Sequence, residues 1–237
     1  VHAARQIARG QYNEPVVVAG DQEFRELAQS FIAMQTGIRE REQRIVEQAT
    51  RDSLTGLANR FALRELLEAR RSGDEAFSVA LIDVHRFRDL NASVGHHVGD
   101  QLLRALAQRL RLLAGTPEFC ARVGVDQFMV CMPLHDTEVL HRVLIMADEL
   151  RRGLNVERTN LNVEIRVGIA EWRAPHAPVD YLLRQADVAL VEAKARNTQA
   201  VVYEPGHDAE HRRRITRVAE LRRAIAGNGL SLAYQPL

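Results

Sequence analysis

The chain has 237 residues, 46% hydrophobic and 27% charged, with a formal net charge of +1. That length supports one well-buried core plus an appendage, and the balance is ordinary for a globular protein. The near-neutral charge argues against a basic nucleic-acid-binding field, and no apolar run approaches the ~20 residues of a membrane span.

The first predicted element is a helix, "VHAARQIARG", ended by Gly10. An extended piece follows, "QYNEPVVVAGD", and then a long helix from "QEFRELAQSF" to "EQATRD". Along that helix Leu27, Phe31, Met34, Ile38, Arg41, Ile45 and Gln48 alternate steps of four and three. This is a heptad seam, apolar at first and then increasingly polar, and it predicts a parallel helix pair with a second copy, with packing against its own globular domain as the alternative. From Asp52 to about Tyr203 helices and strands alternate. "LTGLANRFALRELLEARR" is predicted as a helix, "FSVALID" as a buried strand ending on a carboxylate, and "VGDQLLRALAQRLRLLA" as a helix. "EFCARV" and "QFMVCM" form a predicted hairpin across "RVGVDQF". "TEVLHRVLIMADELRR" is a predicted helix, and "NVEIRVGIAEW" a strand with Val163, Ile165, Val167 and Ile169 on one face. "VDYLLRQADVALVEAKAR" is a helix and "QAVVY" the last strand. Strands separated by helices, with one hairpin, predict an α/β layered fold.

Cys120 and Cys131 bracket the hairpin turn and would face each other if the pairing allowed. Two reduced core thiols are the favoured expectation, and neither has a partner at metal-finger spacing. The tail "HRRRITRVAELRRAI" reads as a solvated linker helix with Leu221, Ala224 and Ile225 along one edge. "LSLAYQPL" reads as the opening of a further strand.

Two acids stand out. Asp83 ends a buried strand and Asp126 sits at the hairpin turn. If the two strands are neighbours, these carboxylates converge. Oxygen ligands at a sheet edge suit Mg²⁺, and Mg²⁺ on a nucleotide is the apparatus of phosphoryl or nucleotidyl transfer. From spacing alone the signal is weak.

Four stretches sharpen it. "DSLTGLANR", "DVHRFRDLNASVGHHVGD", "RVGVDQF" and "ADVALVEAK" occur in an order and spacing that resemble the GGDEF family, which contains diguanylate cyclases. The resemblance implies a nucleotide-cyclase-palm-like domain, a central mostly antiparallel sheet flanked by helices. It also implies GTP as ligand with Mg²⁺. Upstream, Gly10, Val16, Val18 and "GDQEFRELAQSFIAM" are similar to the second half of a HAMP module, with Gln22 and Ile32 departing from the usual Asp and Asn. Downstream, "LRRAIAGNGLSLAYQPL" resembles the opening of an EAL domain. The expected organisation is the end of a HAMP module over residues 1–38 and a coiled-coil linker over 39–51. A GGDEF domain over 52–204, a linker helix over 205–223 and the start of an EAL domain over 224–237 complete it. The chain is thus expected to be the cytoplasmic fragment of a bacterial inner-membrane receptor. Its expected partners are a second copy, through the stalk, and its own EAL domain.

Carried over residue by residue, the resemblance assigns the metal to Asp83, the Val84 carbonyl and position 127, here Gln127. Backbone N–H groups of Arg86 and Phe87 would hold phosphates, Asn91 and Asp100 would read guanine, and Lys194 would contact the terminal phosphates. An amide and a carboxylate suit a guanine edge, which offers both donors and an acceptor. Gly124 would lie against the nucleotide, and Asp126 matches the carboxylate assigned to activating the 3′-hydroxyl. Each has a plainer alternative: Asp100 as a cap of the following helix, Lys194 as a solvated helix residue.

The departures concern catalysis. The signature Gly-Gly-Asp-Glu-Phe reads Gly124-Val125-Asp126-Gln127-Phe128. Val125 brings a β-branched side chain where glycine would give close approach and positive φ. Gln127 removes a negative charge. His85, Ala92 and Thr198 replace an Asp, an Asp and an Arg, and the product-inhibition Arg-x-x-Asp reads Gly115-Thr116-Pro117-Glu118. The expectation is a degenerate GGDEF domain without cyclase activity, relaying between HAMP and EAL. A slow cyclase and a nucleotide-free scaffold are the alternatives.

Overall fold

The computed structural model describes residues 22–71, 73, 75–115, 120–133, 136–156, 159–172, 177–206, 220, 223–225 and 227. The first predicted helix, its extended connector and nearly all of the tail lie outside them. The chain divides into two compact units, Val1–Arg51 and Asp52–Leu237.

In the first unit, α1 runs Gln22–Thr50 without a break. Its seam residues Met34 and Ile45 are 49% and 64% exposed. Phe31 and Ile38 on the same seam are half-buried, so the stripe is covered only in part, and the helix is stabilised by whatever covers the rest.

In the second unit, α2 (Arg60–Arg71) precedes β1 (Ser78–His85), α3 (Phe87–Val94) and α4 (His96–Ala114). The hairpin β2 (Cys120–Arg122) and β3 (Gln127–Met132) follows, then α5 (Asp136–Arg151). A small pair β4 (Leu154–Val156) and β5 (Thr159–Leu161) precedes β6 (Glu164–Glu171), α6 (Val179–Arg196) and β7 (Ala200–Val202). The main sheet has the order β2-β3-β1-β6-β7. Its pairings are antiparallel except β6 with β7. The expected mostly antiparallel sheet flanked by helices is what forms.

Both faces of the sheet are covered. Ala80, Ile82 and Val84 of β1 pack with Leu102, Leu103, Leu106 and Leu110 of α4 and with Val143 and Met146 of α5. Val79 and Leu81 pack with Leu63 and Leu67 of α2 and with Leu182, Ala186 and Leu190 of α6. This explains why "SVALIDV" is apolar almost throughout: a central strand between two helical layers has no polar side. Val163, Ile165, Val167 and Ile169 share the α4–α5 face, as their spacing predicts.

The elements differ from expectation at several points, among them the helix α3, which no predicted element covers. The helix predicted from Leu54 starts only at Arg60, because Asn59 caps it: its Oδ1 accepts the Ala62 N–H at 3.0 Å. The residues before it form a turn in which Asp52 Oδ1 accepts the Thr55 N–H at 2.9 Å and the Thr55 hydroxyl at 2.7 Å. The β4–β5 pair was not foreseen, since three-residue strands leave no periodic signal. Cys120 and Cys131 do not face each other. Cys120 pairs with Val130, so the two thiols lie on opposite faces, one in each core layer. Both are free, and burial pushes their pKa up to about 12 for Cys120 and about 11 for Cys131.

Candidate functional site

β1 and β3 are neighbours, with Asp83 opposite Gln127. The Val84 N–H donates to the Asp126 carbonyl at 3.0 Å, so the turn acid is fastened beside the end of β1. The two carboxylates converge as the sequence anticipates. On its other side Asp83 is opposite Arg166 of β6.

By strand alternation Asp83 follows Val79 and Leu81 onto the face that α6 covers. The position of α6 is fixed by Gly168, which shares this face with Arg166. A Cβ built at Gly168 would lie 2.2 Å from the Ala186 carbonyl oxygen and 2.3 Å from the Leu190 nitrogen. The helix backbone therefore rests directly on the strand. One helical turn beyond Leu190 on the same face is Lys194, and two residues back along β6 is Arg166, the partner of Asp83. Lys194 accordingly reaches Asp83, its Nζ donating to Oδ2 at 2.6 Å. The alternative of a purely solvated Lys194 is set aside. The Gln127 amide donates to the same Oδ2 at 3.3 Å. The Asp83 side chain is 3% exposed and that of Lys194 is 35% exposed.

The hairpin turn itself is held from outside the signature. Arg122 Nη1 meets both oxygens of Asp52 at 3.1 and 3.2 Å, and its Nη2 donates to the Val125 carbonyl at 2.7 Å. The Arg122 N–H donates to the Ala58 carbonyl at 2.8 Å, so the "DSLTGLANR" turn is laced to the hairpin. Among the described residues positive φ occurs at glycines 56, 95, 115 and 206 and at Arg86 and Asn197, and neither Gly124 nor Val125 is in that group. The expected backbone cost of Val125 is absent. What remains is its side chain, 71% exposed at the tip of the turn. At Gly124 an added Cβ would meet the Gln127 side chain at 3.0 Å.

Arg86 precedes α3 with φ 57° and ψ 31°, a left-handed conformation costing roughly 1 kcal/mol outside glycine. Its guanidinium pairs with Asp89 at 3.0 Å in solvent, and Phe87 is buried. Asn91 lies on α3, which packs against α4, where Asp100 is exposed. The Asn91 Oδ1 is sealed from solvent without a hydrogen-bond partner, against Gly99: a Cβ there would sit 1.8 Å from it. Asp100 is not the cap of α4, which begins at His96 after Gly95 and carries no side-chain cap.

Sequence reading missed two elements of this site. One is the Arg122–Asp52 pair. The other is Arg166, 8% exposed on β6, whose Nη2 donates to Glu164 at 3.1 Å and to the Asn197 side-chain oxygen at 2.5 Å. The Arg122–Asp52 pair and the Arg166–Asn197 contact join residues too far apart in sequence for any local pattern. A charged residue in an otherwise apolar strand was the available sign for Arg166.

Burial raises the Asp126 carboxyl above its ordinary pKa, and the neighbouring Asp83 adds to this, against the opposing pull of Lys194 and Arg122. For Asp52 burial also pulls upward, but the hydrogen bonds from Thr55 and Arg122 together outweigh it and hold the carboxyl below the ordinary range. A cleft of about 570 Å³ lined by Trp172, Tyr181 and Tyr203 opens at the opposite end of β6 and contains none of these residues.

The Mg²⁺ implied by the resemblance can be tested against these donors. Among the described residues no three His, Cys, Asp or Glu side chains gather to hold a metal. Asp83 Oδ2 already accepts an ammonium and an amide. The two carboxylates, less one ammonium, leave the cluster at a formal −1. Mg²⁺ takes near-octahedral oxygen, commonly one or two carboxylates with waters and substrate phosphates, and with an ammonium and an amide both on Asp83 these side chains as arranged do not offer it.

Comparison with known proteins agrees with the geometry. Residues 49–200 match the family model described as diguanylate cyclase, GGDEF domain, and residues 1–40 match that of the HAMP domain. The chain is 31% identical over 196 residues to the cyclic di-GMP phosphodiesterase PdeB of Shewanella oneidensis, covering 81% of this chain and 23% of that one. It is 30% identical over 200 residues to the cyclic di-GMP phosphodiesterase NbdA of Pseudomonas aeruginosa, covering 81% and 25%. It thus spans about a quarter of the length of these curated relatives. Among solved structures, the coiled coil and GGDEF domain of DgcB from Caulobacter crescentus, in complex with c-di-GMP, superposes with a TM-score of 0.67 at 27% identity, covering 77% of this chain and 100% of that one. GGDEF domains generally use Mg²⁺ with GTP, which is the background against which the donor set above departs. With a matched model over most of its length and the sheet order and motif placement described, the chain belongs to the GGDEF family, with a HAMP module at its amino-terminal end.

Proposed function

We propose that this chain serves cyclic di-GMP signalling as a regulatory relay and that its GGDEF domain does not make cyclic di-GMP. The HAMP module delivers the input, a dimeric stalk carries it, and an EAL-type region downstream receives it. The domain limits follow the sequence reading: HAMP to residue 38, linker to 51, GGDEF to 204, linker helix to 223 and EAL beyond. The receptor sits at a bacterial inner membrane with these domains on the cytoplasmic side. The observation that carries the reading is the state of Asp83. Its carboxylate is engaged by Lys194 and by the amide that stands where the family has a glutamate. The sequence retains Asn91 and Asp100, and Asp100, exposed on α4, supports guanine-nucleotide binding without turnover, although the Asn91 Oδ1 is sealed against Gly99. The names of PdeB and NbdA support a place beside a phosphodiesterase region.

The test is incubation with GTP and Mg²⁺ or Mn²⁺, with chromatography for cyclic di-GMP. No product is expected. Turnover that disappears in Asp83→Ala overturns the reading. The convergence of Asp83 and Asp126 favours one rival, a slow cyclase. Restoring Val125→Gly and Gln127→Glu together distinguishes the two: a decayed site gains activity from nothing, whereas a slow cyclase is accelerated from a measurable rate.

A further inference from the structure

We propose that Lys194 is the resident cation of this centre: with the Gln127 amide it closes Asp83 to divalent ions and turns the former metal position into a structural clasp. The inference rests on the noncatalytic reading and says what has taken the metal's place. Asp83 comes from β1, Gln127 from β3 and Lys194 from α6, so a single carboxylate oxygen joins three elements. A buried carboxylate needs a counter-charge and donors, and here it has both without any ligand. Arg122 and Lys194 are the cations that act on the neighbouring Asp126.

The charge at position 127 decides which cation wins. With glutamate there, three carboxylates less one ammonium would give the cluster a formal −2, enough to match a divalent ion. With Gln127 the two remaining carboxylates less the ammonium give −1. An entering ion would either displace an ammonium at 2.6 Å and an amide at 3.3 Å from Oδ2 or share the carboxylate through Oδ1 against the repulsion of that ammonium. It would gain one fewer anionic ligand in return, and affinity for hard cations follows the number of such ligands. The clasp also occupies Lys194, so while it stands the lysine is withheld from any phosphate.

The experiment is Mn²⁺ binding to the intact chain, read as loss of the free-ion electron paramagnetic resonance signal, without nucleotide. Wild-type protein should bind no more Mn²⁺ than Asp83→Asn. Lys194→Met with Gln127→Glu should bind roughly tenfold or more tightly than wild type, and adding Asp83→Asn should abolish the gain. Binding by wild type that Asp83→Asn removes overturns the proposal, as does a folded double variant that gains nothing. If the double variant does not fold, Gln127→Glu alone is compared with Gln127→Glu plus Asp83→Asn. Tightening that depends on Asp83 supports the clasp, and its absence refutes it. Cyclic di-GMP production assayed on the same samples reports on the proposed function separately. Asp83-dependent Mn²⁺ binding without product defeats only the clasp, and product formation defeats the noncatalytic reading.

Discussion

Asp83 is the residue on which stability and chemistry meet. Removing the ammonium in Lys194→Met leaves a nearly inaccessible carboxylate with only the Gln127 amide. Because Lys194 is itself partly exposed, the expected loss is below that of a fully buried pair, about 2 kcal/mol in urea unfolding. Asp83→Asn in that background should recover part of the loss, since an unpaired amide is cheaper to bury than an unpaired charge, and the cycle should show non-additivity of about 1 kcal/mol. Asp126 tests the same neighbourhood through pH. Burial and Asp83 raise its pKa, so in the folded state ionisation is disfavoured. The cost is absent below the ordinary carboxylate pKa and grows as pH rises through the raised value. Asp126→Asn is therefore expected to stabilise the chain at neutral pH, with the advantage fading on acidification. Asp52 behaves oppositely: its pKa is lowered, so its contribution is present above the ordinary carboxylate range and is lost as pH falls through the folded value. Thermal melts of Asp126→Asn and Asp52→Asn across a pH series should diverge in these opposite senses.

At the scale of elements, the site depends on how closely α6 lies on β6. Gly168→Ala would drive a methyl into the Ala186 carbonyl and the Leu190 nitrogen, and backbone cannot swing aside as a side chain can. The helix must lift, at a cost of about 3 kcal/mol or more, and Lys194 must withdraw from Asp83. A lowered urea midpoint at unchanged slope is the expected result. This contact also marks how far the sequence could be read. β1, β3 and α6 were legible because each has a strong period or an unbroken apolar run, and the convergence of Asp83 with Asp126 followed once β1 and β3 were neighbours. The start of α2 was not legible, since "LTGLAN" carries a helix-like pattern and only the Asp52 turn and the Asn59 cap divert it. The Lys194–Asp83 contact was not legible either. It depends on a helix resting on a glycine, which no residue pattern within α6 announces. The turn holds Val125 without positive φ, because whether a turn needs positive φ is a property of the turn and not of the glycine usually found there.

At the scale of the molecule, the unexplained surface is the seam of α1. Twenty-nine residues make a helix of about 44 Å, and such a helix is stabilised in water mainly by packing of its apolar stripe. Met34 and Ile45 lie on that stripe and are exposed in the single chain. Ile45 sits between Arg41 and Gln48, where the heptad turns polar, a pattern that weakens the pair yet fixes its register. HAMP and GGDEF proteins commonly dimerise, and a parallel pair through this seam places two copies of each motif about one axis. The expected outcome in sedimentation velocity is a concentration-dependent dimer. Met34→Glu with Ile38→Glu puts four like charges at the seam of the pair and should yield monomer, because each charge would be buried against its own copy. The same substitutions should leave the near-ultraviolet signal of the Asp52–Tyr203 region unchanged, since its core is complete within one chain. If the double variant remains dimeric while α1 stays helical by circular dichroism, the seam is not the contact and the heptad reading of α1 fails.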